Sequence, residues 1–134
     1  MRESFGPMPD ADREIVANVA CLHRLPYTKM KFDHLARLSG AKQVIVKQLA
    51  ALLRIADALD ESGKLVVRGV RCYEEHGVMY IDLHAVGKAL PERAAVLRKA
   101  DMFERVYQKP VVVARNWIEK RARRAARHPK EFSA

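Results

Sequence analysis

Several features that define large classes of proteins are scarce in this sequence of 134 residues. Two cysteines, Cys21 and Cys72, are too few for a disulfide framework or a four-cysteine zinc site. No run approaches the roughly 18 apolar residues of a membrane span, and the N-terminus lacks the charged-then-apolar layout of a signal peptide. We therefore expect a cytoplasmic protein with no membrane partner.

Glycine is also scarce, and its distribution excludes one kind of site. The six glycines are scattered along the chain, so no glycine-rich phosphate loop is present. Neither a Ser–His–Asp nor a Cys–His pattern indicates a nucleophile. The length predicts one domain or two very small ones, and it excludes a multidomain enzyme that carries its own nucleotide domain.

Positive charge is what the sequence has in excess. Lys and Arg number 25 against 16 Asp and Glu, for a formal net charge of +9. The last 20 residues, 115–134, hold seven of the basic residues and two glutamates, hence +5. Such a segment indicates a polyanion or an acidic protein surface as partner, or simply a solvated helix end, and the charge alone leaves both open.

The first half of the chain has helical periodicity. We predict a helix that begins near Asp10 and stops at Pro26, a short helix over 31–38 and a long helix over 41–60. Apolar residues recur at helical spacing on the long helix and are predicted to be its buried face: Ile45, Leu49, Leu52, Leu53, Ala56 and Leu59, with Val46 and Ala50 widening it. We expect residues 1–63 to form a helical subdomain of three helices.

The second half changes to strand patterns. Residues 64–73 and 78–85 are predicted strands, joined by a hairpin turn at His76-Gly77. A third long helix over 91–107, a short strand over 110–114 and a basic helix over 116–128 follow. The predicted fold class is α+β, with a helical part followed by a β-β-α-β unit and a basic C-terminal helix, the latter two forming residues 64–134.

Asp57 is the residue that the helical pattern makes most unusual. It follows Leu49 and Leu53 at intervals of four, which predicts a buried carboxylate that needs a partner such as Arg54, a backbone donor or a metal ion. His23 lies on the apolar stripe of the first helix and would approach Asp57 if the first and third helices pack together. One His and one Asp are too few for a metal site by themselves.

Two further groups have both a structural and a functional interpretation. Tyr80, Asp82 and His84 share one strand face, which is typical of a solvated surface and only weakly indicates a site. Trp117, with Arg121 and Arg124 on the next turns, fits an anchor that docks the tail onto the domain. The alternative is a stacking surface for nucleic acid.

Three segments together resemble a known family. The runs Ile15–Arg24 and Leu49–Asp60 are similar to the C-terminal part of the exopolyphosphatase / guanosine pentaphosphate phosphohydrolase family. Its "YHR…P" element occurs as Leu22-His23-Arg24 with Pro26, so the tyrosine is replaced. Residues 102–107 followed by Val111-Val112-Val113 are similar to the family's "FE-x-V-F-G" ending, and the resemblance covers roughly residues 10–114.

The resemblance implies an incomplete catalytic apparatus. In the family, actin-like domains hydrolyse phosphate, an HD-type helical domain follows, and a small α+β domain ends the chain. Asp57 matches the later Asp of HD metal sites and His23 resembles an auxiliary His, while the remaining ligands would lie before residue 1. The family thus implies an HD-like first half that is not catalytic by itself, with a divalent metal near His23 and Asp57 only a remote possibility.

The resemblance also implies partners: polyphosphate or a phosphorylated guanine nucleotide, a second copy in a homodimer, and a separate actin-like phosphatase chain. Our first hypothesis is a polyanion-binding or dimerising regulatory module. The alternatives are a degenerate metal-dependent HD phosphohydrolase completed by another chain, and a nucleic-acid-binding module that uses the C-terminal helix. The cations that could contact the polyanion are Arg54, Arg68, Arg71, Arg93, Arg98, Lys99, Arg121 and Arg124.

Overall fold

A computed structural model describes residues 7–114 of the chain. The first half contains two α-helices, α1 (Asp10–Leu22) and α2 (Gly40–Ala58). Between them lie two short 3-10 helices, Tyr27–Lys29 and Asp33–Arg37, in place of the single short helix predicted over 31–38. Ser39 caps α2, because its side-chain oxygen accepts a hydrogen bond from the Lys42 N–H at 3.4 Å.

The second half forms a three-stranded sheet crossed by a pair of helices. Strands β1 (Val67–Glu75) and β2 (Val78–Ala85) are antiparallel, and His76 and Gly77 both have positive φ in the turn that joins them, as the hairpin prediction requires. Strand β3 (Val111–Ala114) pairs in parallel with β2, which is therefore the central strand. The described fold is mixed α+β.

The predicted helix over 91–107 is divided in two. Helix α3 (Leu90–Lys99) and helix α4 (Asp101–Tyr107) meet at Ala100, where the first ends and the second begins. Together they connect β2 to β3 as the crossover that a parallel strand pair needs. The basic helix predicted over 116–128 lies outside the described residues.

One hydrophobic cluster draws on both halves of the described chain. Leu22 and Val46 of the helical half belong to the same cluster as Ile81 of β2 and Phe103 of α4. The inner face of the sheet supplies Ile81, Leu83, Val111 and Val113, and helix α2 contacts α1, α3 and α4. Residues on the two sides of Gly63 thus stabilise each other through shared packing.

The predicted buried face of α2 is confirmed only at its edge, where Val46 and Ala50 are buried and Leu59 is half-buried, and its centre is wrong. Ile45, Leu49 and Leu52 are 42%, 43% and 47% exposed, and Leu53 and Ala56 are exposed as well. The buried side of the helix is centred on the opposite face and consists of Val46, Ala50, Ala51, Arg54, Ile55 and Ala58, of which only Val46 and Ala50 were predicted. Because α2 is apolar around most of its circumference, periodicity could not choose a face, and the three alanines allow neighbouring helices to approach closely.

Within residues 7–114, no helix combines the length and the apolar composition that crossing a lipid bilayer requires.

Candidate functional site

The segment between α1 and α2 is a basic loop held in place by apolar anchors. Met30, Leu35 and Leu38 are buried in the core. Lys29 and Lys31, on either side of Met30, are exposed. Residues 23–37 contain four Lys or Arg residues and one carboxylate, Asp33. The buried side chains of Met30, Leu35 and Leu38 therefore fix the backbone of the loop. Lys29 and Lys31 are exposed to solvent from this fixed backbone.

Aromatic rings of this loop are in contact with cations from two other helices. The Tyr27 and Phe32 ring centroids are 5.9 Å apart. The Lys47 ammonium of α2 lies 5.2 Å from the Phe32 centroid, and the Arg105 guanidinium of α4 lies 4.8 Å from the Tyr27 centroid. These distances fit cation–π contacts, which orient both cations along the loop.

We refer to Tyr27, Lys29, Lys31, Phe32, Lys47 and Arg105 together as the basic loop cluster. None of its cations forms an ion pair with a carboxylate in the part of the chain that the structure describes. Their charges are therefore not compensated by an ion pair, and they add positive charge to the loop and to the two helices beside it.

Arg54 supports this loop from inside the protein. It is 3% exposed, and its guanidinium donates hydrogen bonds to the Leu25 carbonyl and, at 2.8 Å, to Asp101 Oδ1. It thereby ties α2 to the start of the loop and to the start of α4. The sequence interpretation of Arg54 as a polyanion ligand is wrong in this structure, because the guanidinium is buried and engaged.

Asp57 is placed differently from the prediction. Its side chain is 49% exposed, and its partner is Lys99, whose Nζ lies 2.6 Å from Oδ2, rather than Arg54. The Lys99 hydrogen bond is the main cause that lowers the pKa of Asp57, and the charges of His23 and Arg24 act in the same direction. The structure thus brings His23 and Asp57 into electrostatic range, as expected if their helices pack together.

The surroundings of Asp57 do not fit a divalent metal. Its carboxylate is bound by the Lys99 ammonium group, which also pairs with Glu61, and the charges of His23 and Arg24 further lower its pKa. His23 Nδ1 is hydrogen-bonded to the Ala20 carbonyl at 2.7 Å. No group of three His, Cys, Asp or Glu side chains suited to a metal ion occurs among residues 7–114. The pair therefore supports no metal-dependent step in the described residues.

The other predicted polyanion ligands are dispersed. Arg98 pairs with Glu61 at 3.1 Å, and Lys99 pairs with both Asp57 and Glu61, so these charges are compensated. Arg68 and Arg71 lie exposed on β1, and Arg93 is half-buried on α3. Arg121 and Arg124, like Trp117, lie outside the described residues. The described members of this set thus lie on two elements, β1 and α3.

The outer face of the sheet is only partly solvated. Tyr80 stacks on Tyr73 of β1, with ring centroids 5.1 Å apart, and His84 is exposed. Asp82, predicted to be solvated with them, is buried, and its Oδ1 has no hydrogen-bond partner among the residues described here. Asp82 is in register with Arg71 of β1 on one side and with Ala114 of β3 on the other.

Glu92 is a buried carboxylate that the sequence interpretation missed. It accepts hydrogen bonds from the Ser62 N–H at 3.2 Å and from the Ser62 hydroxyl. The hydroxyl contact is the main cause that lowers the pKa of Glu92, against the opposing effect of burial. The pair joins the turn after α2 to the first turn of α3, and it accounts for Glu92 as a structural group.

The chain matches no family model, and no curated protein is significantly similar to it.

The sequence contained a signal for four of the six residues of the basic loop cluster. Lysines interleaved with Tyr27 and Phe32 are a pattern typical of surfaces that bind phosphate chains. Lys47 and Arg105 could not be found in this way, because they come from α2 and α4 and join the loop only through tertiary packing.

Proposed function

We propose that this protein is a non-catalytic module that binds the phosphate chain of polyphosphate, or of a phosphorylated guanine nucleotide, at the basic loop cluster. The observation that carries the proposal is the continuous arrangement of Lys47, Phe32, Tyr27 and Arg105, with contacts of 5.2, 5.9 and 4.8 Å. A cytoplasmic location belongs to the same proposal.

The electrostatics of the cluster favour an extended anion over a single carboxylate. Lys29 and Lys31 are exposed on the loop, while Lys47 and Arg105 are held at its two sides. Four cations at separate positions on the loop and beside it can each meet a different phosphate, and a phosphate chain carries about one charge per unit. Attraction of this kind acts at long range and weakens as salt screens it.

The anchoring of the loop reduces the entropic cost of binding. The buried side chains of Met30 and Leu35, and the Arg54 hydrogen bond to the Leu25 carbonyl, restrain the backbone before any ligand arrives. A surface that is already ordered loses less conformational freedom when it binds. The resemblance of the Leu49–Asp60 segment to a family that handles phosphate chains supports the same ligand class.

The test measures binding of fluorescently labelled polyphosphate as a function of salt. The variant K29Q/K31Q/K47Q/R105Q is expected to bind at least about tenfold more weakly. Its slope of log affinity against log salt is expected to be shallower by about 3, since each lost phosphate contact contributes about 0.7–0.9. The matched control R13Q/K64Q/K88Q/R98Q removes the same charge elsewhere and is expected to retain most of the affinity.

Two outcomes would overturn the proposal. If both quadruple variants lose the same affinity, the attraction comes from net charge and not from the cluster. If a single-stranded oligonucleotide of equal charge displaces polyphosphate at much lower concentration, the surface is a nucleic-acid site. Unlabelled guanine nucleotides with different numbers of phosphates, used as competitors, identify which phosphate-chain ligand the cluster prefers.

A further inference from the structure

The outer face of the sheet contains a buried carboxylate without a cation. Asp82 of the central strand β2 is 3% exposed, and its Oδ1 has no hydrogen-bond partner among residues 7–114. Arg71, in register with it on β1, is exposed, and its guanidinium lies 5.5 Å from the Tyr73 ring centroid instead of pairing with Asp82. A buried carboxylate is costly unless a cation or a hydrogen-bond donor meets it. Asp82 therefore needs a partner that the described residues do not supply.

The hydrophobic cluster lies on the opposite face of the sheet. Four sheet residues of that face belong to it: Ile81, Leu83, Val111 and Val113. Successive residues of a strand point to opposite faces, so the Asp82 side chain points away from the cluster. Val112 points to the same outer face as Asp82 and is 41% exposed. The outer face thus offers both a charge to be paired and an apolar side chain to be covered.

The described part of the chain ends beside this carboxylate. Strand β3 ends at Ala114, which is the β3 residue in register with Asp82. Adjacent strands lie about 4.8 Å apart, so residues 115–134 begin about one strand spacing from Asp82. These 20 residues have a net charge of +5. Because the segment is tethered at the site, its effective concentration there exceeds that of any separate molecule, and its charge is complementary to Asp82.

The sequence of this segment fits an aromatic and acidic surface. Trp117, Arg121 and Arg124 follow one another at intervals of four and three residues, which places them on one side of the predicted helix. The outer face presents Tyr73 and Tyr80, stacked with their ring centroids 5.1 Å apart, next to Asp82 along the strands. A tryptophan ring packs well against such a pair, and a guanidinium donates to both oxygens of a carboxylate.

We propose that residues 115–134 dock on the outer face of the sheet, with Trp117 beside the tyrosine pair and with Arg121 and Arg124 supplying the cation for Asp82. The segment is then part of the domain and compensates its buried carboxylate, instead of being a free basic arm. The inference does not depend on the proposed phosphate-chain site, because no residue of the basic loop cluster takes part. Neither readout below involves polyphosphate, so each proposal can fail alone.

The first experiment locates Trp117, which is the single tryptophan of the chain and therefore its specific fluorophore. In a C21S/C72S background, a nitroxide label, which quenches tryptophan at short range, is attached to R71C or to V70C. These neighbouring positions of β1 are both exposed, but they point to opposite faces of the sheet.

The label on R71C is expected to quench Trp117 strongly, and the matched label on V70C only weakly. In urea the two labels are expected to quench equally, because the sheet no longer separates them. Equal quenching by the two labels in the folded protein would overturn the docking.

The second experiment tests the ion pair by urea unfolding of the full chain. Removing one partner of a buried ion pair is destabilising, whereas removing an unpaired buried charge is stabilising, so the sign of the D82N effect distinguishes the two cases. We expect D82N to lower the urea midpoint in the wild type. In an R121Q/R124Q background, which removes the proposed partners, D82N is expected to raise the midpoint or leave it unchanged.

The matched control background is R123Q/R127Q, which removes the same charge from another side of the predicted helix. There D82N is expected to lower the midpoint as it does in the wild type. A D82N chain with a raised midpoint, or an equal lowering in all three backgrounds, would overturn the pairing of Asp82 with this segment.

Discussion

The cations of this protein fall into two regions with different electrostatic surroundings. At the C-terminal end of α2, Lys99 and Arg98 lie beside Asp57 and Glu61, and their charges are compensated. In the basic loop cluster, by contrast, aromatic rings hold Lys47 and Arg105, and a ring leaves a positive charge uncompensated. Lysine and arginine therefore stabilise the fold in one region and are available to a ligand in the other.

The largest loss of stability is expected for substitution of Arg54, the most deeply buried of these cations. The variant R54M removes the hydrogen bonds to the Leu25 carbonyl and to Asp101 and leaves the methylene volume largely filled. Loss of one partner of a buried ion pair costs about 3–5 kcal/mol. Because Asp101 is partly exposed, we expect R54M to lower the free energy of unfolding by about 3 kcal/mol. Urea unfolding followed by circular dichroism measures this change in the free energy of unfolding.

The control for this prediction is R105M, which removes an exposed guanidinium of the basic loop cluster. Its expected effect on the free energy of unfolding is below about 1 kcal/mol, because a cation–π contact at an exposed site contributes about 0.5–1 kcal/mol. Equal destabilisation by the two variants would contradict the division into structural and available cations.

Arg54 also shows how far the sequence could predict the fold. The strand over 78–85, the hairpin turn at His76-Gly77 and the approximate bounds of α1 and α2 all follow from local patterns, and the structure confirms them. The buried face of α2 followed only in part, since Val46 and Ala50 were predicted but Ala51, Arg54, Ile55 and Ala58 were not, because apolar side chains surround the helix. Arg54 lies on the face that is buried, and a charged side chain at that position favoured the wrong assignment of the buried face.

The candidate site was predictable only where it is local in sequence. Lys29 and Lys31, with the neighbouring rings, form a recognisable basic and aromatic pattern. The pairing of Lys99 with Asp57 joins residues 42 apart in the chain, and the sequence interpretation had assigned these two residues to different roles. Without tertiary contacts, a paired lysine and an available lysine have the same appearance in a sequence.

A second and smaller effect concerns the acid titration of Asp57. Lys99 lowers the pKa of this carboxyl below its ordinary value of 3.8, so K99Q is expected to raise it toward that value. Because the folded-state pKa is the lower one, the ion pair stabilises the protein fully above about pH 3.8. That contribution is lost as the pH falls through the folded-state pKa. NMR titration of the Asp57 side-chain carboxyl carbon, in wild type and variant, measures the shift.

The K31Q variant is the control for the Asp57 titration, because it removes a lysine with no carboxylate partner among residues 7–114. It is expected to leave the Asp57 titration unchanged. If K31Q raises the pKa of Asp57 as much as K99Q does, the general positive field of the protein, and not the Lys99 contact, controls that carboxyl.

The smallest effect is expected for stability when a single cation of the basic loop cluster is removed. K29Q deletes an exposed charge without breaking an ion pair of the described residues, so the free energy of unfolding should change by less than about 0.5 kcal/mol. Its affinity for polyphosphate should nevertheless fall about two- to threefold at low salt, and the difference should narrow as salt increases. K64Q, an exposed lysine outside the cluster, is the control and should change neither quantity measurably. A stability loss in K29Q as large as that of R54M would show that the loop depends on this lysine for its fold, and would remove the distinction between the two regions.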